Sequence, residues 1–209
     1  MKLSSSYFSR LLILSLAALM VSCGDNKLPD SNQVVIKPNS NGQNITGNYD
    51  KSPMDMSYYP VDYPKLKMTK NDKDALIARV IYSRPKTDGR VIFGNVLKYG
   101  SPWRMGANEA TEIEFFRDVE INDRRIEKGR YVIYCIPQET EWKMILNNDL
   151  FTWGLQIDSS KDVYSFTVPV VKNKYPFELL TIEFAQADES NMRLNIAWDS
   201  VRAVVPIKY

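Results

Sequence analysis

Arg84, Arg90, Trp103, Arg104, Asn108 and Glu109 fall within one glycine-broken stretch, Tyr82 to Thr111, and their side chains are of the types that hold ligands. A guanidinium presents two parallel N–H donors that match two oxygens of a carboxylate, sulfate or phosphate. Trp103, next to Arg104, offers a flat apolar face of the sort that sugars and planar ligands lie on. Gly94, Gly100 and Gly106 allow close backbone approach and positive φ. The same residues also have structural roles open to them. Asn108 and Glu109 can lock a loop through backbone hydrogen bonds, and Arg104 can pair with Glu109 inside the domain. Charge is segregated around this stretch. Arg79 to Arg104 carries six basic residues and one acid, Asp88, whereas Glu109 to Glu127 carries seven acids and three bases. If the two blocks lie on adjacent antiparallel strands, they form a ladder of cross-strand ion pairs.

Catalytic readings are poorer. With 0 histidines, the chain has no His-assisted nucleophile and no His-based zinc site. No G-x-S-x-G elbow, Walker loop, H-E-x-x-H or C-x-x-C occurs. Glycosidases need two carboxylates at a defined separation, and Glu109 with Glu112 or Asp88 offers such a pair, as any chain with 25 acids would. Ser83 or Ser101 could act as nucleophile only with a lysine base, and Lys86 and Lys98 are near merely in sequence. Cys135 lies in an apolar run and reads as an inert core thiol. Trp142, Trp153 and Trp198 also read as core. No catalytic residue, metal ligand or cofactor is assigned.

The elements that must position the stretch alternate with a period of two. Leu76, Ala78, Val80 and Tyr82 share one face, as do Ile113 and Phe115, then Trp142, Met144 and Leu146. Tyr131 to Ile136 is a buried-type strand, and Tyr164 to Val170 another in which Pro169 marks an edge or a bulge. Leu180 to Phe184, Met192 to Trp198 and Val201 to Ile207 complete roughly eight or nine short strands, with no sustained helical period. An all-β fold is expected, an antiparallel β-sandwich with a jelly-roll-like variant.

The chain begins with Lys2 and Arg10 around a polar start, then Leu11 to Val21 and Ser22-Cys23. The apolar run spans roughly 16 Å as a helix, too short for a bilayer core of about 30 Å. It has the order of a signal peptide, and the cysteine that follows resembles the lipobox of bacterial lipoproteins. That resemblance implies that Cys23 is acylated, for instance with palmitate, and becomes the first mature residue. Gly24 stands where enteric lipoproteins retained in the inner membrane carry aspartate, which points to the outer membrane of a Gram-negative cell envelope. Without Lys2 and Arg10 the 27 basic residues become 25, equal to the 25 acids, so the mature chain is neutral. Neutrality argues against nucleic acid as a partner. The expected organisation is a signal peptide over 1–22, a flexible tether over 23–48, a Tyr/Pro-rich extended arm over 49–72 and the sandwich over 73–209.

From about Ala75 onward the chain resembles the bacterial family called domain of unknown function 2911. The resemblance rests on Tyr82-Ser83-Arg84-Pro85, Gly89-Arg90, Ile92-Phe93-Gly94, Tyr99-Gly100 and the run Trp103-Arg104 through Gly106-Ala107-Asn108-Glu109-Ala110-Thr111. Ile136-Pro137, Glu141-Trp142 and Trp153-Gly154 extend it. It implies a secreted or lipid-anchored, β-rich protein without an established activity. The expected function is a non-catalytic binding or assembly module, bound to membrane through Cys23, with candidate partners among carbohydrates, anionic small molecules and envelope proteins. The alternatives are a glycan-directed hydrolase using Glu109 as acid or base, and a structural partner that docks through residues 49–68.

Overall fold

A computed structural model of the chain describes residues 50–70 and 76–209. The expected signal peptide, Cys23 and the 23–48 tether lie outside the described residues. The elements run in the order β1 (Met54–Tyr59), α1 (Tyr63–Lys70), β2 (Ala78–Ser83), β3 (Glu112–Phe115), β4 (Val119–Ile121), β5 (Arg124–Ile126), β6 (Gly129–Pro137), β7 (Glu141–Asn147), β8 (Asp162–Gln186) and β9 (Asn191–Lys208). The strands are hydrogen-bonded in the order β1-β2-β3-β6-β7-β8-β9-β4-β5, and every named pairing is antiparallel. The fold is thus all-β and sandwich-like.

One layer contains β1, β2, β3, β6, β7 and the first part of β8, and the other contains the remainder of β8 with β9, β4 and β5. Pro169 marks the handover. It is the last residue of β8 registered on β7, opposite Glu141, and Val170 is the first registered on β9, opposite Ala203. A residue without an N–H suits the point at which a strand changes partners. The segment after β2 then runs beside the far half of β8. Leu180 N donates to Pro85 O at 3.0 Å and Thr87 N to Glu178 O at 2.8 Å.

The alternation expected from the sequence is present, but two expected breaks are not turns. Met192, Leu194, Ile196 and Trp198 are buried, and so are Val201, Ala203, Val205 and Ile207, yet all belong to β9. The inward phase slips by one residue at Asp199, which has φ 51° and lies opposite Phe177 on β8. An extra residue of this kind shifts the pleat without ending the strand. The polar run near Lys172 is likewise carried through as part of β8, with register shifts between Lys172 and Phe177 and between Phe177 and Thr181.

In the segment expected as an extended arm, Met54–Tyr59 forms edge strand β1 and Tyr63–Lys70 forms the short helix α1. Asp62 O accepts from Lys65 N and Leu66 N at 2.8 and 3.0 Å, and Pro64 occupies the first turn, where a missing N–H costs nothing. Among residues 63–69 only Tyr63 is buried and Leu66 half-buried. Two inward residues are too few to print a helical period in the sequence.

Candidate functional site

The stretch between β2 and β3 is held by its own hydrogen bonds. Ser83 and Thr111, both 0% exposed, close its two ends. Ser83 Oγ accepts from Ala107 N at 2.7 Å, and Thr111 Oγ1 donates to Met105 O at 2.8 Å. A Cβ on Gly106 would stand 2.8 Å from Ser83 Oγ, so only glycine fits without displacement there. Much of the conspicuous Gly106–Thr111 run is therefore needed to make this turn.

The six candidate residues divide accordingly. Arg84 Nη1 pairs with Asp55 Oδ2 at 3.1 Å, while its Nε and Nη2 donate to Leu180 O and Thr181 Oγ1, both at 3.2 Å. It joins β1 to β8. Arg90 closes the turn before it, donating from Nε to Thr87 O and from Nη2 to Lys86 O, both at 2.8 Å. Asn108 Nδ2 reaches back to Asp50 Oδ2 at 3.2 Å and Ser52 O at 3.1 Å, strapping the segment that leads into β1. Glu109 is exposed, and among the described residues it forms no ion pair, so the Arg104–Glu109 pairing open to the sequence is not made.

Trp103 corrects the sequence expectation outright. It is 5% exposed, its ring is stacked 5.8 Å from Trp198, and it meets Trp142 edge-on. It pairs as a bridge with Cys135, which turns its side chain into the core, so it offers no ring to a ligand. Cys135 beside it is fully buried, and burial pushes its thiol pKa well up, as expected of an inert core residue.

Trp153 corrects it in the other direction, since the expected core residue is 54% exposed. It stands on the loop after β7 with Phe151 and Leu155, which are 82% and 73% exposed. This loop is braced. Ala110 N donates to Thr152 O at 3.3 Å and Phe151 N to Glu112 Oε1 at 3.2 Å. Gly154, at φ 74°, fits so closely that a Cβ would stand 2.9 Å from Ala110 Cβ and 3.0 Å from Arg104 Cβ. A sequence signal existed: Phe151 and Trp153 follow directly on the Asn147-Asn148-Asp149 turn residues and lie outside any alternating run.

Arg104 lies between these loops. Its guanidinium carbon is 5.9 Å from the centre of the Trp153 ring, and Nη1 donates to Trp153 O at 3.2 Å. Among the described residues it has no carboxylate partner, and partial burial lowers its pKa from the ordinary value. A cation seated on an indole and lacking an anion can still accept one. Arg130 behaves differently. It lies 5.8 Å from the centre of the Phe151 ring but also faces Glu112 and Glu114, at 3.7 and 3.6 Å. With the Arg79–Glu114 pair, these form a charge ladder across β2, β3 and β6, in which Arg79–Glu114 joins the two expected blocks and Arg130 lies outside the basic one. Among the described residues there is no group of three His, Cys, Asp or Glu side chains suited to a metal ion.

The fold and site define a β-rich domain whose β2–β3 loop and the loop after β7 meet at an arginine–tryptophan contact. The chain belongs to the family described as Protein of unknown function (DUF2911), whose model matches residues 64–207. The match begins inside α1 and leaves out β1, although β1 pairs along its whole length with β2. No curated protein and no solved structure matches the chain.

Proposed function

We propose that this protein is a non-catalytic binding module, anchored at the bacterial outer membrane through an acylated Cys23, that takes a glycan bearing a carboxylate, sulfate or phosphate on its Arg104–Trp153 face. The observation that carries this reading is the position of Arg104: it rests on an exposed indole and, among the described residues, faces no carboxylate. Trp153 takes the role expected of Trp103, that of an apolar face for a sugar ring, while Arg104 binds the anionic group and Glu109 stands exposed nearby in the same turn. Arg84, Arg90 and Asn108 brace the loops and are not expected to touch ligand.

The test is calorimetric titration of the full chain with galacturonic acid oligomers, sulfated disaccharides and inorganic phosphate. Binding of an anionic glycan is expected to weaken at least about tenfold, about 1.4 kcal/mol, in Arg104→Ala and in Trp153→Ala. Absence of binding to every probe, or binding indifferent to both changes, would sink the reading. The anchor is tested separately by incorporation of a palmitate analogue, which Cys23→Ala should abolish.

A further inference from the structure

The loop after β7 presents Phe151, Trp153 and Leu155 to solvent at alternate positions. Large apolar residues exposed singly need no explanation, but three on one short loop do. Folding does not account for them. Phe151 stands in the left-handed region at φ 60°, which a bulky residue enters at a cost, and the contact its ring makes is with the guanidinium of Arg130. The backbone beneath is nevertheless fixed by Phe151 N on Glu112 Oε1, by Ala110 N on Thr152 O and by Gly154 wedged against Ala110 and Arg104. The loop is a rigid mount for side chains that the domain itself does not bury.

Cations stand against these rings, Arg130 at Phe151 and Arg104 at Trp153. The acids nearby are engaged: Glu112 and Glu114 face Arg130, Glu114 also pairs with Arg79, and Asp149 pairs with Lys161. Arg104 is left without a carboxylate among the described residues, and Glu109, exposed in the same turn, is left without a cation. A further observation is where the chain enters the domain. Asp50, the first described residue, is held to this same turn, because Asn108 Nδ2 donates to its Oδ2 at 3.2 Å and to Ser52 O at 3.1 Å. Residues 1–49 therefore join the domain close to Arg104. With Cys23 acylated as proposed, they draw this side of the domain, rather than the opposite one, toward the bilayer.

Apolar side chains at a rigid loop tip, an indole among them and cations beside it are the composition that enters the boundary between lipid headgroups and acyl chains. A glycan free in solution has a use for Trp153 and Arg104 but none for Phe151 and Leu155. Acyl chains have a use for both. We infer that the 150–155 loop dips into a lipid surface, with Phe151 and Leu155 among the upper acyl carbons, Trp153 at headgroup level and Arg104 on an anionic headgroup. This rests on the reading of Arg104 as the partner of an anion, and adds that the anion is borne by a membrane lipid. The competing occupant is a second protein surface of the same polarity; the entry of the chain beside Arg104 favours the lipid.

The experiment uses the full chain carrying Cys23→Ala, which has no covalent lipid, and vesicles of phosphatidylcholine, alone or with phosphatidylglycerol, brominated high on their acyl chains. Trp103, Trp142 and Trp198 are buried, so bromine quenching of indole emission reports on Trp153 whatever else in the chain touches the vesicle. Quenching is expected, and Trp153→Phe should abolish it. Phe151→Ser with Leu155→Ser, both at exposed positions where folding is not at issue, should raise the lipid needed for half-maximal quenching at least about tenfold. Arg104→Gln should raise it severalfold on vesicles containing phosphatidylglycerol and leave it unchanged on phosphatidylcholine alone. No quenching in either vesicle, or quenching that the double serine change leaves intact, would overturn the inference. So would an oligomer in sedimentation that the double change breaks while neither vesicle quenches, which would assign the loop to a second copy of the chain. The double change keeps Arg104 and Trp153, so titration of that variant with the anionic glycans tests the earlier reading separately: glycan binding without quenching removes only the lipid surface, and quenching without glycan binding removes only the glycan.

Discussion

Trp103 and Trp153 stand on two loops that touch, one beside Arg104 in sequence and the other beneath it in space, yet one ring is 5% exposed and the other 54%. The difference lies in what the backbone is doing. Trp103 exchanges both of its backbone hydrogen bonds with Cys135 at the margin of the sheet, and that pairing directs its side chain inward. Trp153 lies on a loop whose backbone is held from below, through Thr152 and Gly154 against Ala110 and Arg104, which leaves its ring to solvent. Residue type alone does not distinguish the two tryptophans; backbone pairing does.

The sharpest way to break this comparison is to delete both rings. Trp103→Ala should destabilise the domain by about 3–5 kcal/mol in urea unfolding, as for a large aromatic removed from a packed core. Trp153→Ala should cost no more than about 1 kcal/mol, the worth of a partly exposed cation–π contact. Equal losses would show that the two loops form a single core. Gly106→Ala forces a Cβ to within 2.8 Å of Ser83 Oγ and should cost about 1–3 kcal/mol, whereas Ser83→Ala combined with it should recover part of that loss. Failure of the second change to rescue the first would mean that the strain lies elsewhere in the turn. Thr111→Val keeps the shape but removes the hydroxyl bonded to Met105 O, and a loss of about 1 kcal/mol is expected by thermal unfolding.

The smallest effect concerns the braced turn near Arg90. Glu178 accepts from the Thr87 hydroxyl and from Asp88 N, and these hydrogen bonds, the hydroxyl's first, hold its carboxyl below the ordinary value of 4.5. A carboxyl depressed by folding adds stability above its unfolded pKa, and that stability is lost as pH falls through the folded value. Stability measured from pH 6 down to acid should therefore fall less steeply in Glu178→Gln than in the parent chain below about pH 4.5. Superimposable profiles would show that Glu178 does not hold this turn.

What was legible in the sequence follows from the same contrast. Period-two alternation marks β2, β3, the first half of β7 and β9 because each buries one face there, and the segregated charge blocks meet in the Arg79–Glu114 pair, to which Arg130, outside the basic block, adds its own contacts with Glu112 and Glu114. Helix α1 was hidden because it buries so little. The continuity of β8 and β9 was hidden because polar residues and a left-handed Asp199 look the same whether a strand ends or slips. Of the candidate site, Arg104 and Glu109 remain free of carboxylate and cation partners among the described residues, while Arg84, Arg90 and Asn108 are spent on holding segments together. Which arginine is spent depends on the fold of distant partners such as Leu180, and that cannot be read from the neighbouring residues.

At 25 residues, β8 belongs to both layers. The two layers are threaded on one rod, so neither can be peeled away while the other keeps its hydrogen bonds. The domain should melt as a single cooperative body, with slow amide exchange in β7 and β9 governed by the same opening event, and a chain cut at Pro169 should yield no half that folds alone.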